Sequence, residues 1–235
     1  MTEPMNWAAY FDERMEGELH RYVRDRWLYN APIFREIQRL LPAGGKILEF
    51  GSGSGTYAAM LAHFGYEIVG VELSEEMVEM ARKMAGRLGS KSIRFEQGTI
   101  LDLSAHYGRH DLAYSCGVIE HFYDADAVRV LREAGRCAPQ VFVLVPSYWS
   151  WRNTVATTQG IFECYTLRRL RRVVREAGLE IVEEIGFSAG SKVGRAIELL
   201  VPPIVQPRLF KHFAATIGVV ARAADFVPTG EGAPA

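Results

Sequence analysis

The sequence has 235 residues, of which 49% are hydrophobic and 23% are charged, ordinary values for a globular protein that exclude a collagen-like or disordered chain. Its 27 Lys and Arg residues against 28 Asp and Glu residues give a formal net charge of −1, so there is no positive excess with which to bind nucleic acid. Three scattered cysteines predict neither a disulfide framework nor a metal site. The acid-rich amino terminus has no signal-peptide pattern, and no stretch reaches the roughly 20 apolar residues that span a membrane. We therefore expect a cytoplasmic protein without a transmembrane segment.

The amino-terminal region has apolar residues at helical spacing and predicts a helical lid over residues 1–42. Pro32 is predicted to open a second helix there, because proline suits a first helical turn and breaks an interior one.

From residue 46 onward, short apolar runs alternate with helical patterns. The predicted strands cover 46–50, 66–71, 92–96, 110–116 and 141–145, and the predicted helices cover 56–64, 74–88 and 124–137. This alternation predicts an α/β fold, a doubly wound and mostly parallel sheet with helices on both faces, in a domain that spans 43–225.

The carboxyl-terminal part predicts a helix over 167–177, a strand over 179–184 and a last strand over 216–221. The arginines of the 167–177 helix are predicted to face water. Residues 187–212 between the strands are predicted to be an irregular insertion, and long loops are often functional. Its apolar part, 196–205, suggests a cover for the active site, a homodimer contact or a lipid contact. Residues 226–235 are predicted to be a disordered tail.

The most informative stretch is the glycine-rich turn 51–55, which follows the first strand and precedes a helix. Glycines let a ligand approach the backbone, and the ligand crevice of a parallel sheet lies at the carboxyl ends of its strands. Glu72 ends the second strand about 20 residues later, the distance at which an acid binds the ribose hydroxyls of a nucleoside. The third glycine falls one residue too early for a dinucleotide fingerprint, and the carboxylate of Glu49 suits a cationic ligand better than a pyrophosphate.

Four segments, 47–55, 70–74, 114–122 and 141–147, resemble class I S-adenosylmethionine-dependent methyltransferases of the small-molecule type, over about residues 40–185. The resemblance implies a Rossmann-like, seven-stranded sheet with an antiparallel last strand and S-adenosylmethionine as cofactor. It implies cofactor contacts for Glu49, Gly51, Ser52, Gly53, Gly55, Glu72, Leu73, Gly98, Thr99, Ile100 and Cys116. Thr99 stands where the family often has an acid that contacts adenine, so adenine recognition departs from the pattern there.

Catalysis by methyl transfer asks mainly for alignment and exclusion of water. His121 follows the fourth strand at the predicted rim and is the candidate general base, against the alternative that it only packs or caps. Cys116 is expected to be a small apolar filler rather than a nucleophile. An aromatic wall for a small hydrophobic or aromatic acceptor is predicted from Tyr10, Trp27, Tyr148, Trp149 and Trp151, although Trp27 also fits ordinary core packing.

The sequence thus predicts a methyltransferase that moves a methyl group to a small acceptor by in-line displacement. The alternatives are a non-catalytic adenosylmethionine-binding regulatory module, a protein or RNA methyltransferase, and a nicotinamide-dependent oxidoreductase.

Overall fold

The computed structural model describes residues 19–148, 163–189, 206–212 and 214–229. The chain divides into two units, Met1–Asp102 and Leu103–Ala235. The first unit contains, in chain order, α1 (Leu19–Leu40), β1 (Lys46–Phe50), α2 (Thr56–Ala62), β2 (Glu67–Glu72), α3 (Glu75–Leu88) and β3 (Ile93–Gln97). Strand β2 pairs in parallel with β1 on one side and with β3 on the other.

Local sequence chemistry explains the bounds of α3. Ser74 is its N-cap, where the side-chain oxygen accepts from the Met77 N–H, and the acidic Glu75 and Glu76 lie at the positive end of the helix dipole. The helix ends at Gly89, whose φ of 68° is the left-handed conformation typical of a helix C-terminus.

Helix α1 corrects the prediction that Pro32 opens a new helix, because the helix runs through Pro32 without a break. Proline inside a helix costs about 3 kcal/mol. The next turns bury Ile33, Phe34 and Ile37, and burying each large apolar side chain contributes about 1.5–3 kcal/mol, which more than offsets that cost.

The second unit contains a short 3₁₀ helix (Ser104–His106), β4 (Leu112–Cys116), a second 3₁₀ helix (Ile119–His121), α4 (Asp124–Cys137), β5 (Gln140–Pro146), α5 (Leu167–Glu176), β6 (Leu179–Ala189), α6 (Gln206–Phe210) and β7 (Ala214–Ala223). Strands β4 and β5 are parallel, and β7 is antiparallel to both β5 and β6. The seven strands have the order β3-β2-β1-β4-β5-β7-β6, so the predicted Rossmann-like sheet with an antiparallel last strand is confirmed.

The ends of the 187–212 insertion were predicted wrongly. Strand β6 continues to Ala189 and β7 begins at Ala214, with Phe187 opposite Thr216 and Ala189 opposite Ala214. Antiparallel pairing satisfies the backbone of these residues, and Phe187 and Ala214 are buried. The sequence pattern did not show this pairing because the two segments are far apart in the chain.

The arginine-rich helix α5 is as predicted, since Leu170, Val173 and Val174 are buried while Arg172 and Arg175 are exposed. The beginning of the predicted disordered tail is held in place, because the Thr229 N–H donates to the Gly108 carbonyl at 3.0 Å; residues 230–235 lie outside the described residues. None of the described helices is long and apolar enough to cross a membrane.

Candidate functional site

The glycine turn of the first unit has three residues at positive φ, namely Gly51 at 75°, Gly53 at 51° and Gly55 at 68°. A Cβ on Gly55 would lie 2.5 Å from Cζ of Phe95 and 2.6 Å from Cβ of Ala81, so this glycine allows close packing inside the unit. A Cβ on Gly53 would meet no atom within 4 Å. Gly53 therefore lies on an open side of the turn, where a ligand can approach the backbone.

Glu72 holds this turn in place from the end of β2. Its Oε2 accepts a hydrogen bond from the Gly53 N–H at 2.9 Å, and its Oε1 accepts from the N–H groups of Leu73 at 2.8 Å and Ser74 at 3.1 Å. A carboxylate has about four acceptor positions, so capacity remains for a ligand hydroxyl. The sequence predicted the ribose role but missed this anchoring of the glycine turn.

Glu49 lies one residue before the end of β1 and is only 2% exposed. The pKa of its carboxyl is raised to about 8, mainly by burial; a hydrogen bond from the Ala58 amide opposes the shift and the charge of Glu72 adds to it. Its Oε2 has no hydrogen-bond partner in the described part of the chain. A buried acid without a counter-charge is suited to a ligand that brings a cation.

The remaining predicted cofactor residues of the first unit lie around this turn and after β3. The Gly98 N–H donates to the Glu72 carbonyl at 2.9 Å, which brings the end of β3 beside the end of β2. Thr99 is exposed, and its hydroxyl accepts from the Leu101 N–H at 3.2 Å. Ser52 and Ile100 are buried, whereas Leu73 is 69% exposed.

The second unit carries the other predicted residues at the carboxyl end of β4. Cys116 is half-buried at the strand end, and the Gly117 N–H donates to the Leu144 carbonyl of β5 at 3.0 Å. His121 is exposed at the end of the 3₁₀ helix Ile119–His121. Because His121 is exposed, its role as a general base and its alternative role in packing or capping both remain predictions.

Glu120 is the residue of this unit that the sequence analysis missed. It is only 4% exposed, and burial raises the pKa of its carboxyl to about 8. Its Oε2 has no partner among the described residues, and a Cβ built on the neighbouring Gly117 would lie 3.4 Å from Oε1. The available signal was an acidic residue beside His121 after a buried strand, but only the histidine was given a role.

Two of the predicted acceptor residues are described. Tyr148 is 54% exposed, and its N–H donates to the carbonyl of the fully buried Tyr165 at 3.0 Å. Trp27 is 38% exposed and stacks on Phe34 and Phe64, each with 5.3 Å between ring centroids. Trp27 therefore packs against two rings of the first unit on one side and stays exposed on another, and its predicted contact with the acceptor stays a prediction. Tyr10, Trp149, Trp151 and the 196–205 segment lie outside the described residues.

A family model described as a methyltransferase domain matches residues 47–139. An uncharacterized methyltransferase from Bacillus subtilis is 32% identical over 108 residues, which are 44% of this chain and 41% of that protein. A ubiquinone biosynthesis O-methyltransferase from Thiobacillus denitrificans is 27% identical over 182 residues, 71% of this chain and 74% of that protein. The chain spans less than half the length of the first curated relatives that it matches.

The comparison with solved structures agrees with the predicted fold. The crystal structure of magnesium protoporphyrin IX methyltransferase from Synechocystis, with bound SAH, superposes with a TM-score of 0.63 at 15% identity, over 86% of this chain and 85% of that one. Residues 47–139 therefore match a methyltransferase domain, and with the glycine turn and Glu72 this match supports the predicted class I S-adenosylmethionine-dependent methyltransferase, with S-adenosylmethionine as its cofactor.

Proposed function

We propose that this protein transfers a methyl group from S-adenosylmethionine to a small, hydrophobic or aromatic acceptor by in-line displacement. The observation that carries the proposal is the cradle at the end of β1 and β2. There, one carboxylate, Glu72, holds the open side of the glycine turn through the Gly53 N–H, and a second, buried carboxyl, Glu49, has an oxygen without a partner.

Each side chain has a defined task in this proposal. Glu72 accepts a ribose hydroxyl with its remaining capacity, and the exposed Leu73 covers one face of the adenine ring. Glu49 faces the cationic end of the methionine moiety, because a positive charge is what its buried carboxyl lacks. The bound cofactor supplies a methyl group already activated by the sulfonium. For the acceptor, we propose His121 as the residue that takes a proton and Tyr148 as an aromatic contact.

The test of the cofactor site is adenosylhomocysteine binding measured by calorimetry. Glu72→Ala should weaken binding by about 1.5–3 kcal/mol, the usual contribution of hydrogen bonds to a charged group. Glu72→Gln should weaken it less, because one acceptor oxygen remains. Glu76→Ala is the matched control, since it removes an exposed carboxylate from the first turn of α3. Equal affinity in Glu72→Ala and the control would remove Glu72 from the site.

The test of the activity is transfer of a radiolabelled methyl group from S-adenosylmethionine to a panel of small phenols, carboxylic acids and amines. Tight adenosylhomocysteine binding without transfer to a broad panel would favour the regulatory-module alternative. The cytoplasmic location stays a prediction, as does the homodimer or lipid contact through 196–205.

A further inference from the structure

Glu120 is held in its buried position by a segment that is distant in sequence. The Glu163 N–H donates to the Glu120 backbone carbonyl at 3.2 Å, and the Tyr165 hydroxyl donates to the Ile119 carbonyl at 3.4 Å. The same segment is bonded to the end of β5, where the Tyr165 N–H donates to the Pro146 carbonyl at 2.9 Å. The backbone around Glu120 is therefore well bonded, while the Oε2 atom of its side chain is not.

No cation in the described part of the chain neutralises this carboxyl. The charged groups that act on the neighbouring Tyr165, besides Glu120 itself, are Asp124 at the start of α4, Glu163, and Arg169 on α5. Arg169 gives its ion pairs to Asp124 and Glu163, both at 2.8 Å, and lies over the Tyr165 ring at 4.1 Å. This guanidinium is therefore engaged by other groups, and no ion pair to Glu120 is found among the described residues.

The surroundings of Glu120 offer an approach from one side. Gly117 is exposed, has no side chain and lies next to Oε1 of Glu120. Tyr148 and Tyr123 are exposed aromatic side chains of the same unit. A small ligand that approaches the exposed Gly117 would therefore lie next to the Glu120 carboxyl.

We propose that Glu120 binds the amino group of a small molecule as an ammonium–carboxylate pair, and that this amine belongs to the methyl acceptor. An ammonium brings both a positive charge and up to three donors to an acid that has an unused oxygen. An anionic ligand would gain no counter-charge from Glu120, and an alcohol would gain only a neutral hydrogen bond. The assignment of the amine to the acceptor rests on the proposed function, whereas amine binding itself does not.

Amine binding should release a proton. Near pH 7 the buried carboxyl of Glu120 is protonated, because its pKa is about 8. The incoming ammonium keeps its own protons and stabilises the carboxylate, so the carboxyl proton leaves to solvent. Affinity should therefore rise with pH up to about 8 and then level off, while proton release falls from about one per ligand toward zero.

The experiment uses the full-length protein saturated with adenosylhomocysteine and isothermal titration with benzylamine and its neutral analogue benzyl alcohol. Titrations at pH 7 in buffers of different ionisation enthalpy give the number of protons released. In Glu120→Gln, we expect benzylamine to bind at least about tenfold more weakly, as the loss of a charge-assisted pair predicts, with benzyl alcohol changed less than about twofold and no proton release. Glu163→Gln, which removes a neighbouring exposed carboxylate, should stay within about twofold of wild type.

Four results would overturn the inference. The first is equal benzylamine affinity in wild type and Glu120→Gln, and the second is benzylamine binding to the wild type without proton release. The third is failure of the wild type to bind benzylamine, phenethylamine and butylamine. The fourth is a loss of adenosylhomocysteine affinity in Glu120→Gln that equals the loss of benzylamine affinity. The last result would give the carboxyl to the ammonium of the cofactor. If Glu120→Gln does not fold, a ¹³C carboxyl titration of the wild type replaces it. There the Glu120 resonance should titrate near pH 8 and shift to lower pH with benzylamine, and an unmoved titration would count against the proposal. Amine binding without methyl transfer to any amine would contradict the assignment of the amine to the methyl acceptor and leave amine binding at Glu120 intact, whereas absence of transfer to the whole panel would contradict the proposed function.

Discussion

The two units each bury one carboxyl group near the end of a strand, and they do so by different means. Glu49 belongs to β1 itself, between Leu48 and Phe50, and its burial follows from a strand that is covered on both faces. Glu120 lies in a single 3₁₀ turn whose burial depends on hydrogen bonds from Glu163 and Tyr165, more than 40 residues later. Burial raises the pKa of both groups to about 8. The comparison teaches that local sequence can encode a buried acid in a strand, whereas a buried acid in a turn depends on tertiary contacts.

Glu49 and Glu120 also differ from acids of the same units whose carboxylate oxygens are hydrogen-bonded. Glu72 gives its oxygens to three backbone N–H groups of its own surroundings, and Glu133 accepts from the Leu103 N–H and the Tyr107 hydroxyl. Glu49 and Glu120 each keep one oxygen without a partner. Unsatisfied buried polar groups destabilise a fold, so we interpret these two oxygens as positions where a ligand completes the structure.

The largest effect is expected in the second unit, from His121→Ala. If His121 takes a proton from the acceptor, turnover should fall by about 10²–10⁴-fold while adenosylhomocysteine affinity stays nearly unchanged. Steady-state rates with an identified acceptor, together with calorimetry, measure the two quantities separately. A loss of turnover below about threefold would favour the capping interpretation and leave Glu120 as the more informative residue of this unit.

In the first unit, substitutions at two glycines of the same turn should differ in cost. Gly55→Ala places a Cβ against Phe95 and Ala81 at a positive φ, so both strain and overpacking apply, and we expect a loss of about 3 kcal/mol in the free energy of unfolding. Gly53→Ala introduces only the backbone strain, because the space around the new Cβ is open, and should lower the free energy of unfolding by about 1 kcal/mol. Urea denaturation of both variants measures the difference. Equal losses would mean that the turn relaxes away from Phe95.

The features that the sequence predicted well are those that nearby residues determine. The bounds 46–50 and 124–137 match β1 and α4 because their apolar patterns and flanking residues are local. The unbroken helix at Pro32, the extension of β6 to Ala189 and the burial of Glu120 were missed. Each depends on packing or pairing with distant residues, which no local pattern contains. The anchoring of Gly53 by Glu72 was also missed, because spacing predicts that an acid reaches a ligand but not that it first bonds the turn.

The effect that tests the comparison most directly is the pH dependence of stability. The pKa of each buried carboxyl is raised from its ordinary value of 4.5 to about 8 in the folded chain. Between these pH values the folded state binds one more proton per group than the unfolded state. The contribution of each group to the free energy of unfolding is therefore fully present below the unfolded pKa, falls as pH rises, and levels off above about pH 8. Each group contributes a slope of about −1.4 kcal/mol per pH unit.

Glu49→Gln and Glu120→Gln should each make the wild-type slope shallower by about 1.4 kcal/mol per pH unit between pH 5.5 and 7.5, as measured by urea denaturation at several pH values without ligand. Glu184→Gln is the matched control. The ion pairs of Glu184 with Arg171 and Lys211 lower the pKa of its carboxyl to about 2, so its contribution is lost only as pH falls well below this window. An unchanged slope in Glu120→Gln alone would mean that this carboxyl is ionised in the folded protein. The two buried acids would then differ in protonation state as well as in the way that the fold buries them, and only Glu49 would release a proton to a cationic ligand.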